Sequence, residues 1–473
     1  MDKGINKLNN TIFILITILS IFGTISIGDL RIFGMVITPY RIIIPILFLI
    51  CAIGYLNNLK CSNNEFKILN RNIIAITGIF IIWIIYGTVQ LFVIDGLNMT
   101  NGVKELFEIC LGYAIVISLF IVIARGVSEN IVINTIKTIY MVIALFAVIE
   151  IASGYHLPTS IYADTEATWI LSTTDHNITN ATAIFYNPND LAAFMAIFTP
   201  IFFYSRNPIE RIVNIIVIVI TLSVLRLNDA WIAIFAVIIS LVIFIAICIV
   251  NVLRKTIHGN SKITYDTCVA FISVVIGYIF GFKLLLLFRK CVHSLFEIIG
   301  IDLGVVEDTN ISVSGISETI DAQLVSGTGT SGSSRIDTYI DMLRDTFVDS
   351  YGLGFGPDGY SHYVKTNMSS DILVNPHCLW LEILSQYGVI IFGIIIIAIV
   401  YLYISLFKIF IKHNALMALI LFLIDTSFVF AVFGPSTFLG YGYSWVVIGL
   451  SAGYVARYKL KNQKQVGATA KCD

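Results

Sequence analysis

The segment from Trp231 to Val250 reads WIAIFAVIISLVIFIAICIV and contains no charged side chain. An α-helix needs about 20 apolar residues to cross the hydrocarbon core of a bilayer, and this segment has that length. The segment therefore predicts a transmembrane helix, and with it a membrane protein.

The composition of the whole chain supports the same conclusion. Of its 473 residues, 57% are hydrophobic and 12% are charged, whereas a soluble domain has about 25% charged residues. Because so few charges cannot cover a surface that faces water, most of the protein surface is expected to face lipid. The net charge of −1 gives no indication of a nucleic acid as a partner.

Twelve apolar runs are predicted to cross the membrane, although the sixth and seventh are short. They are 11–28, 34–56, 72–94, 106–124, 131–152, 189–204, 209–226, 229–251, 264–288, 386–411, 414–434 and 442–458. The first run follows Lys3 and Lys7, as in a signal peptide, but no small-residue cleavage site follows it. We therefore interpret it as an uncleaved first helix.

The basic residues predict the orientation of these helices, because cytoplasmic loops of membrane proteins carry an excess of Lys and Arg. With a cytoplasmic N-terminus, 18 of the 29 basic residues fall on the cytoplasmic side. They are Lys3, Lys7, Lys60, Lys67, Arg71, Arg125, Arg206, Arg211, Arg254, Lys255, Lys262, Lys408, Lys412, Arg457, Lys459, Lys461, Lys464 and Lys471. The prediction is a multi-pass protein of the inner (cytoplasmic) membrane with both termini in the cytoplasm.

Two predicted outer loops are long, at about 153–188 and 289–376. The second is large enough to fold partly outside the bilayer, and it divides the chain into three parts. Residues 1–288 hold helices 1–9, residues 289–376 form the extracytoplasmic loop, and residues 377–473 hold helices 10–12 and a cytoplasmic tail. The cysteines show no CxxC spacing, and a bridge between Cys291 and Cys378 is left open.

The long loop contains a predicted amphipathic helix from Arg335 to Phe347, with Ser334 as its expected N-cap. Its apolar residues recur at helical spacing and are Ile336, Tyr339, Ile340, Leu343 and Phe347. The helix is expected to lie on the membrane surface or over the helix bundle. It is followed by a predicted turn at Gly352-Leu-Gly-Phe-Gly-Pro357.

Two arginines at the outer ends of helices are candidates for binding an anion. Arg226 ends the seventh run, where a guanidinium could bind an anionic headgroup. The alternatives are that it is an interfacial anchor or pairs with Asp229. Arg41 lies a few residues inside the outer face of the second helix, where a charged group is costly and therefore needs a reason.

Two further segments carry polar side chains near the outer face. In Phe185-Tyr-Asn-Pro-Asn-Asp190, Asn189 or Asp190 can cap the sixth helix, and these side chains could also contact a sugar. His377 follows Pro376 where the long loop re-enters the membrane, and a histidine can exchange a proton near neutral pH. A single loop histidine is nevertheless more often structural than catalytic.

Together these residues resemble the O-antigen ligase and O-antigen polymerase family of bacterial cell-surface polysaccharide enzymes. The resemblance covers most of the chain. It rests on Thr38-Pro-Tyr-Arg41, on Tyr186-Asn-Pro-Asn-Asp190, on the arginine after the seventh helix, and on the long loop that ends in Asn375-Pro-His377.

The last of these motifs departs from the family pattern at two positions. In the family it is approximately Pro-His-Asn, then nine residues, then Gly-x-x-Gly. Here His377 has the family's spacing to Gly388, but Cys378 replaces the Asn and Ile391 replaces the second glycine. The replacement at Cys378 removes any role of a side-chain amide there.

The resemblance implies an all-α polytopic membrane fold like that of the GT-C glycosyltransferases, and a metal-independent transfer without a cofactor. The donor would be a glycan on undecaprenyl pyrophosphate, and the acceptor a glycan, a lipid or a cell-wall component. An acceptor hydroxyl would attack the anomeric carbon on the outer face of the membrane, and the lipid pyrophosphate would leave. Membrane lipids would surround the helices.

The same resemblance assigns roles to particular residues. The implied catalytic residues are His377, Arg335 and Arg226, and the implied substrate-binding residues are Arg41, Asn187, Asn189, Asp190 and Arg344. The arginines suit a pyrophosphate leaving group, because a guanidinium binds phosphate oxygens bidentately. His377 would act as a general base or orient the acceptor.

The motifs do not separate a ligase from a polymerase. The alternative outside the family is a polysaccharide repeat-unit flippase or another secondary transporter. Transporters are typically built from internal repeats, and no clear internal repeat is present in this sequence. We therefore expect an enzyme.

Overall fold

A computed structural model of the chain describes residues 2–23, 25, 31–32, 35–36, 38–59, 64–161, 180–253, 261–298, 331–367, 378–435 and 439–469. His377 lies outside the described residues, and the side chain of Arg335 is not described either. The secondary-structure elements of the described residues are helices, apart from one short strand pair. In this pair β1 (Arg31–Ile32) and β2 (Met35–Val36) run antiparallel, with Arg31 opposite Val36.

Fifteen α-helices are described. They are α1 (Asp2–Ile21), α2 (Pro39–Leu59), α3 (Asn64–Val93), α4 (Met99–Ala124), α5 (Glu129–Ser153), α6 (Pro188–Phe198), α7 (Pro208–Leu227), α8 (Trp231–Leu253), α9 (Ser261–Ile276), α10 (Phe282–Ile298), α11 (Ser331–Val348), α12 (Gly359–Asn367), α13 (Leu379–His413), α14 (Leu416–Ala431) and α15 (Gly442–Thr469). A 3₁₀ turn (Thr199–Phe202) follows α6, and a π-helical turn (Gly277–Gly281) joins α9 to α10.

Among the described residues, eight helices are long and apolar enough to cross a membrane, and two shorter ones, Asn6–Ile21 and Leu416–Ala431, are also apolar. The prediction of an all-helical polytopic membrane protein is therefore confirmed. Each of the twelve predicted runs overlaps a helix, but length and composition support eight spans, so twelve remains a prediction.

Several predicted boundaries were wrong. The first helix covers Asp2–Ile21 instead of 11–28, because its polar first turns are helical too. The ninth run continues as α10 to Ile298, well into the predicted loop.

The disulfide bridge that the sequence left open is not formed, because Cys291 and Cys378 are both free thiols.

The helices alternate in direction, and ion pairs identify the ends that lie together. Lys137 near the start of α5 binds Glu210 near the start of α7 at 2.8 Å, and Arg211 of α7 binds Asp266 of α9 at 3.1 Å. We call this the basic end, formed by residues 54–59, 64–71, 124–137, 203–211, 261–266, 404–416 and 455–462. The opposite end, which carries α11 and α12, is the loop end.

The central helix is α4, which packs against α1, α2, α3 and α15. Close packing with α15 depends on small residues, as is usual between membrane helices. A Cβ atom at Gly449 or Gly453 would lie 2.9 Å from Leu119 or Ile123 of α4. By contrast α13 exposes much of its surface at the side of the bundle.

Candidate functional site

The start of α6 is held by the Asn187 side chain. Its Oδ1 accepts hydrogen bonds from the backbone N–H groups of Asn189 at 2.8 Å and Asp190 at 3.1 Å. Pro188 occupies the first helical position, where its missing N–H is no loss. The helix cap is therefore Asn187 and not Asn189 or Asp190 as expected. The reason is that the helix already begins at Pro188, so Asn189 and Asp190 lie inside its first turn.

Asp190 is completely buried at the loop end. Its Oδ2 accepts a short hydrogen bond from the Tyr441 hydroxyl, and its backbone oxygen accepts one from Tyr443 at 3.3 Å. Burial, helped by the charge of Asp190, raises the pKa of Tyr441 well above its ordinary value, so this phenol remains a neutral donor. Asp190 thus joins α6 to the connection between α14 and α15.

Arg226 lies in an aromatic setting. Its guanidinium lies 3.9 Å from the ring centre of Phe282 and 5.1 Å from that of Tyr278. One of its N–H groups donates to the Tyr278 carbonyl at 2.5 Å. This carbonyl belongs to the π-helical turn, a distortion that is frequent at functional sites. Arg226 forms no ion pair with any described residue, Asp229 included.

The start of α6 lies beside the end of α7. The Asn228 side chain donates to the carbonyl oxygens of Ala181 at 2.8 Å and Pro188 at 3.3 Å, and it accepts from the Ala181 amide at 2.8 Å. The adjoining loop is held by Glu150 of α5, which accepts bonds from the amides of Thr182 and Ala183. The structure therefore brings Arg226 and the Asn187–Asp190 segment to one side of the loop end.

Arg41 makes an ion pair with Glu108 of α4. Its Nη2 and Nε lie 2.5 and 2.9 Å from the same carboxylate oxygen. Glu108 is 9% exposed and lies inside the predicted apolar run 106–124. It was missed in the sequence, although a carboxylate inside such a run is a strong signal of a functional or structural partner.

The predicted loop helix is confirmed as α11, which begins at Ser331, so Ser334 lies inside the helix and is not its N-cap. Its buried side chains include Thr338, Met342 and Asp345, whereas the apolar residues Ile340, Leu343 and Phe347 are exposed. Met342 packs with Tyr360 and Val364 of α12. An exposed apolar face is what an interfacial helix presents to lipid.

Arg344 is exposed on α11 and forms no ion pair with a described residue. The helix itself is anchored by Tyr339, whose hydroxyl donates to the carbonyl of Phe433 at 3.2 Å. Phe433 belongs to the same α14–α15 connection as Tyr441. Arg344 therefore belongs to a helix that is bonded to the same α14–α15 connection as Asp190.

His377 itself is not described, but the residue after it, Cys378, is described and lies at the start of α13. Cys378 is buried, and burial raises the pKa of its thiol to about 12, so this thiol is unreactive at neutral pH. The next amide, of Leu379, donates to the carbonyl of Val432 at 3.0 Å. The start of α13 therefore lies beside the same α14–α15 connection.

The predicted glycine-rich turn is confirmed, with positive φ at Gly352, Gly354 and Gly356. It fills a break in α13 at Gly388, where φ is 70° and ψ −177°. The backbone hydrogen bonds that close this break are Phe355 N to Ser385 O, Gly356 N to Gln386 O and Val389 N to Gly352 O, at 2.8, 2.9 and 2.9 Å. A Cβ atom at Gly388 would collide with the Leu353 backbone, so glycine is required there.

We call the break at Gly388, together with the glycine-rich turn that fills it, the Gly388 joint. A second carboxylate of α4 takes part in it. Glu105 accepts hydrogen bonds from the Tyr387 hydroxyl at 2.6 Å and from the Asp358 amide at 2.8 Å. Gln90 of α3 donates to the carbonyls of Leu353 and Gln386 at 2.9 and 3.1 Å. The turn, α3, α4 and α13 are thus locked together, and none of these contacts follows from sequence spacing.

The described contacts therefore join Asp190 of α6, Tyr339 of α11 and the start of α13 to the α14–α15 connection. Asn187 and Asn189 belong to the same start of α6, and the end of α7, which carries Arg226, is bonded to it through Asn228 and Pro188. Arg344 is on α11 and is not shown to contact these residues. Arg41 lies at the same end and is engaged by Glu108. No protein-family model matches the chain, and no curated protein is significantly similar to it.

Proposed function

We propose that this protein is a glycosyltransferase of the O-antigen ligase or polymerase type that uses a glycan on undecaprenyl pyrophosphate. In this proposal twelve helices span the inner membrane in a GT-C-like arrangement, both termini are cytoplasmic, and the loop end is the outer face. The acceptor is a glycan, a lipid or a cell-wall component.

The observation that carries the proposal is the state of Arg226. A guanidinium has five N–H donors, and one of them is bonded to the Tyr278 carbonyl. The rings of Tyr278 and Phe282 fix the group without neutralising its charge, since a cation is attracted to a ring face but stays a cation. A fixed arginine at the membrane surface, with no ion pair to any residue that the structure describes, suits the pyrophosphate of a lipid-linked donor.

The reaction would proceed by displacement at the anomeric carbon. The acceptor oxygen forms the new glycosidic bond as the bond to the pyrophosphate oxygen breaks, and the leaving group keeps the electron pair. Arg226 and Arg335 would balance the charge on that group, while His377 would take the proton of the acceptor hydroxyl. The exposed apolar face of α11 would hold Arg335 and Arg344 at the lipid surface.

One observation favours the second candidate, a flippase or secondary transporter. Asp425 is buried within α14 and accepts a hydrogen bond from the Ser451 hydroxyl of α15 at 2.8 Å, with no ion pair to a described residue. A carboxyl group inside a membrane helix is often part of an ion or substrate pathway. This observation concerns one residue, whereas the proposed transferase draws on the whole loop end.

The glycan profile of a deletion strain separates the candidates. Loss of long chains from an intact acceptor indicates a ligase, and a single repeat on the acceptor indicates a polymerase. Lipid-linked repeats that accumulate in the cytoplasmic leaflet would instead indicate a flippase and contradict the proposal. Complementation with the natural chain should restore the profile.

A further inference from the structure

A cavity of about 410 Å³ lies in the side of the bundle between α3 and α13. Its walls are almost entirely apolar and include Ile76 and Ile79 of α3 and Ile395 and Ala398 of α13, with α4 and α15 behind them. The candidate site at the loop end makes no use of this cavity. Because both walls belong to candidate membrane spans, the cavity opens toward lipid rather than toward water.

The cavity spans about one leaflet of a bilayer. Along α3 its lining runs from Asn72 to Trp83, eleven residue steps, which correspond to about 16 Å of helix. The hydrocarbon core is about 30 Å thick. The length therefore fits a single acyl chain of one leaflet.

The end of the cavity that points to the loop end is closed by aromatic rings, which we call the aromatic floor. Trp83 lies 6.1 Å from Trp445 and 6.2 Å from Phe80, measured between ring centres. Tyr387 packs edge-on against Trp83 at 5.4 Å. A chain in the cavity is thus separated from the Gly388 joint and from the candidate site by these rings.

The other end carries polar groups and a cation. Asn72 and Tyr401 line the cavity there. Lys459 donates a short hydrogen bond to the Tyr401 hydroxyl, and its ammonium lies 5.0 Å from the centre of the Tyr401 ring. Lys459 forms no ion pair with a described residue. Its charge therefore remains available at the mouth of an apolar cavity.

We propose that this cavity binds one acyl chain of an anionic glycerophospholipid from the leaflet at the basic end, with the lipid phosphate beside Lys459. The pattern of apolar walls, aromatic floor and cationic mouth matches a chain with a negative headgroup at one end. The pyrophosphate of the proposed donor would lie at the loop end, which the aromatic floor separates from the cavity. The site is therefore independent of the proposed transferase reaction.

The tryptophans of the floor provide a direct readout. Trp83 and Trp445 are 2% and 5% exposed, so lipid outside the bundle reaches them poorly, whereas a chain inside the cavity touches them. A variant with Trp169, Trp231 and Trp380 replaced by Phe keeps only Trp83 and Trp445. The fluorescence of these two should be quenched more by brominated phosphatidylglycerol than by brominated phosphatidylcholine. Ala398→Phe, which fills the cavity, should reduce the quenching by both lipids.

The charge at the mouth is tested by Lys459→Gln, with Lys412→Gln at the same end as the matched control. Lys459→Gln should abolish the preference for phosphatidylglycerol, and Lys412→Gln should retain it. Equal quenching by the two lipids in the natural cavity, or a preference that survives Lys459→Gln, would overturn the proposal. Displacement of the quencher by undecaprenyl phosphate but not by unbrominated phosphatidylglycerol would also overturn it.

A second measurement does not depend on the tryptophan replacements. Native mass spectrometry of the otherwise unchanged chain, released from detergent, should show one retained phosphatidylglycerol. This adduct should be lost in Ala398→Phe and reduced in Lys459→Gln. Retention of the same adduct in both variants would place the lipid elsewhere and refute the site.

Discussion

Two arginines at the loop end, Arg41 and Arg226, have opposite surroundings. Arg41 is bound through two nitrogens to the Glu108 carboxylate, whereas Arg226 contacts two aromatic rings and one carbonyl. The first charge is balanced inside the protein and joins α2 to α4. The second is held in place and has no ion pair among the described residues. Both side chains are guanidinium groups at the loop end, so the partner decides which arginine can bind an external anion.

The largest effect on stability is expected from Arg41→Met. It leaves the nearly buried Glu108 without its cation, and removing one partner of a buried pair costs about 3 kcal/mol or more. The double variant Arg41→Met/Glu108→Leu should recover most of the loss. Unfolding in detergent measures both, with Arg226→Met as the matched control that should change stability much less.

A double variant that is as unstable as Arg41→Met would show that the pair does not explain the loss. Equal destabilisation by Arg226→Met would show that the two arginines do not differ as their partners suggest. Either result would break the comparison.

Arg226→Lys tests the other half of the comparison. An ammonium cannot reproduce the planar fork of a guanidinium, and hydrogen bonds to charged groups contribute about 1.5–3 kcal/mol. Transfer measured with purified protein should therefore fall about 10- to 100-fold, while the unfolding transition stays close to that of the natural chain. Full activity of Arg226→Lys would remove this residue from pyrophosphate binding.

Asp190 extends the comparison to a carboxylate held by a neutral donor. Tyr441→Phe removes that donor and should destabilise the protein by about 1–2 kcal/mol. Because burial raises the pKa of Tyr441, its bond is fully present below about pH 10, the ordinary tyrosine pKa. The bond is lost only as pH rises toward the raised value.

The stability difference between the natural chain and Tyr441→Phe should thus be constant from pH 7 to about 10 and shrink above that. Detergent unfolding at a series of pH values measures it. A difference that grows or vanishes between pH 7 and 9 would mean that Tyr441 is not the neutral donor described.

The smallest effect is expected from Phe282→Leu, which removes the closer ring beneath Arg226. A cation–π contact at a partly exposed site contributes about 0.5–1 kcal/mol, so transfer should fall about 2- to 5-fold. Phe271→Leu, an exposed phenylalanine of α9, is the control and should have no effect. Equal activities of the two variants would show that the ring does not position the guanidinium.

The sequence predicted the features that depend on local pattern. The twelve apolar runs each overlap a helix, and the loop helix and the glycine-rich turn were placed correctly, because hydrophobic period and glycine content act over a few residues. The cap of α6 was misplaced by two or three residues, since it is Asn187 and not Asn189 or Asp190. In an Asn-Pro-Asn-Asp segment several residues can cap, and the choice depends on where the proline enters the helix.

The partners of the polar residues could not be predicted in the same way. Glu108 follows Arg41 by 67 positions and Tyr441 follows Asp190 by 251, so each pairing depends on how the helices pack. Glu105 and Glu108 could have been singled out as carboxylates within or beside an apolar run. The closing of the Gly388 break by the turn at Gly352 requires the backbone geometry itself.

The central claim is that the protein consumes a lipid-linked glycan on the outer face of the membrane. It is tested most directly by the sidedness of the lipid-linked glycan that accumulates in spheroplasts of a deletion strain, measured with a membrane-impermeant glycan-oxidising reagent. A transferase at the loop end predicts that most of this glycan is oxidised in intact spheroplasts and that Arg226→Lys gives the same accumulation. Glycan that is protected until the membrane is opened would place the missing step before translocation and contradict the account.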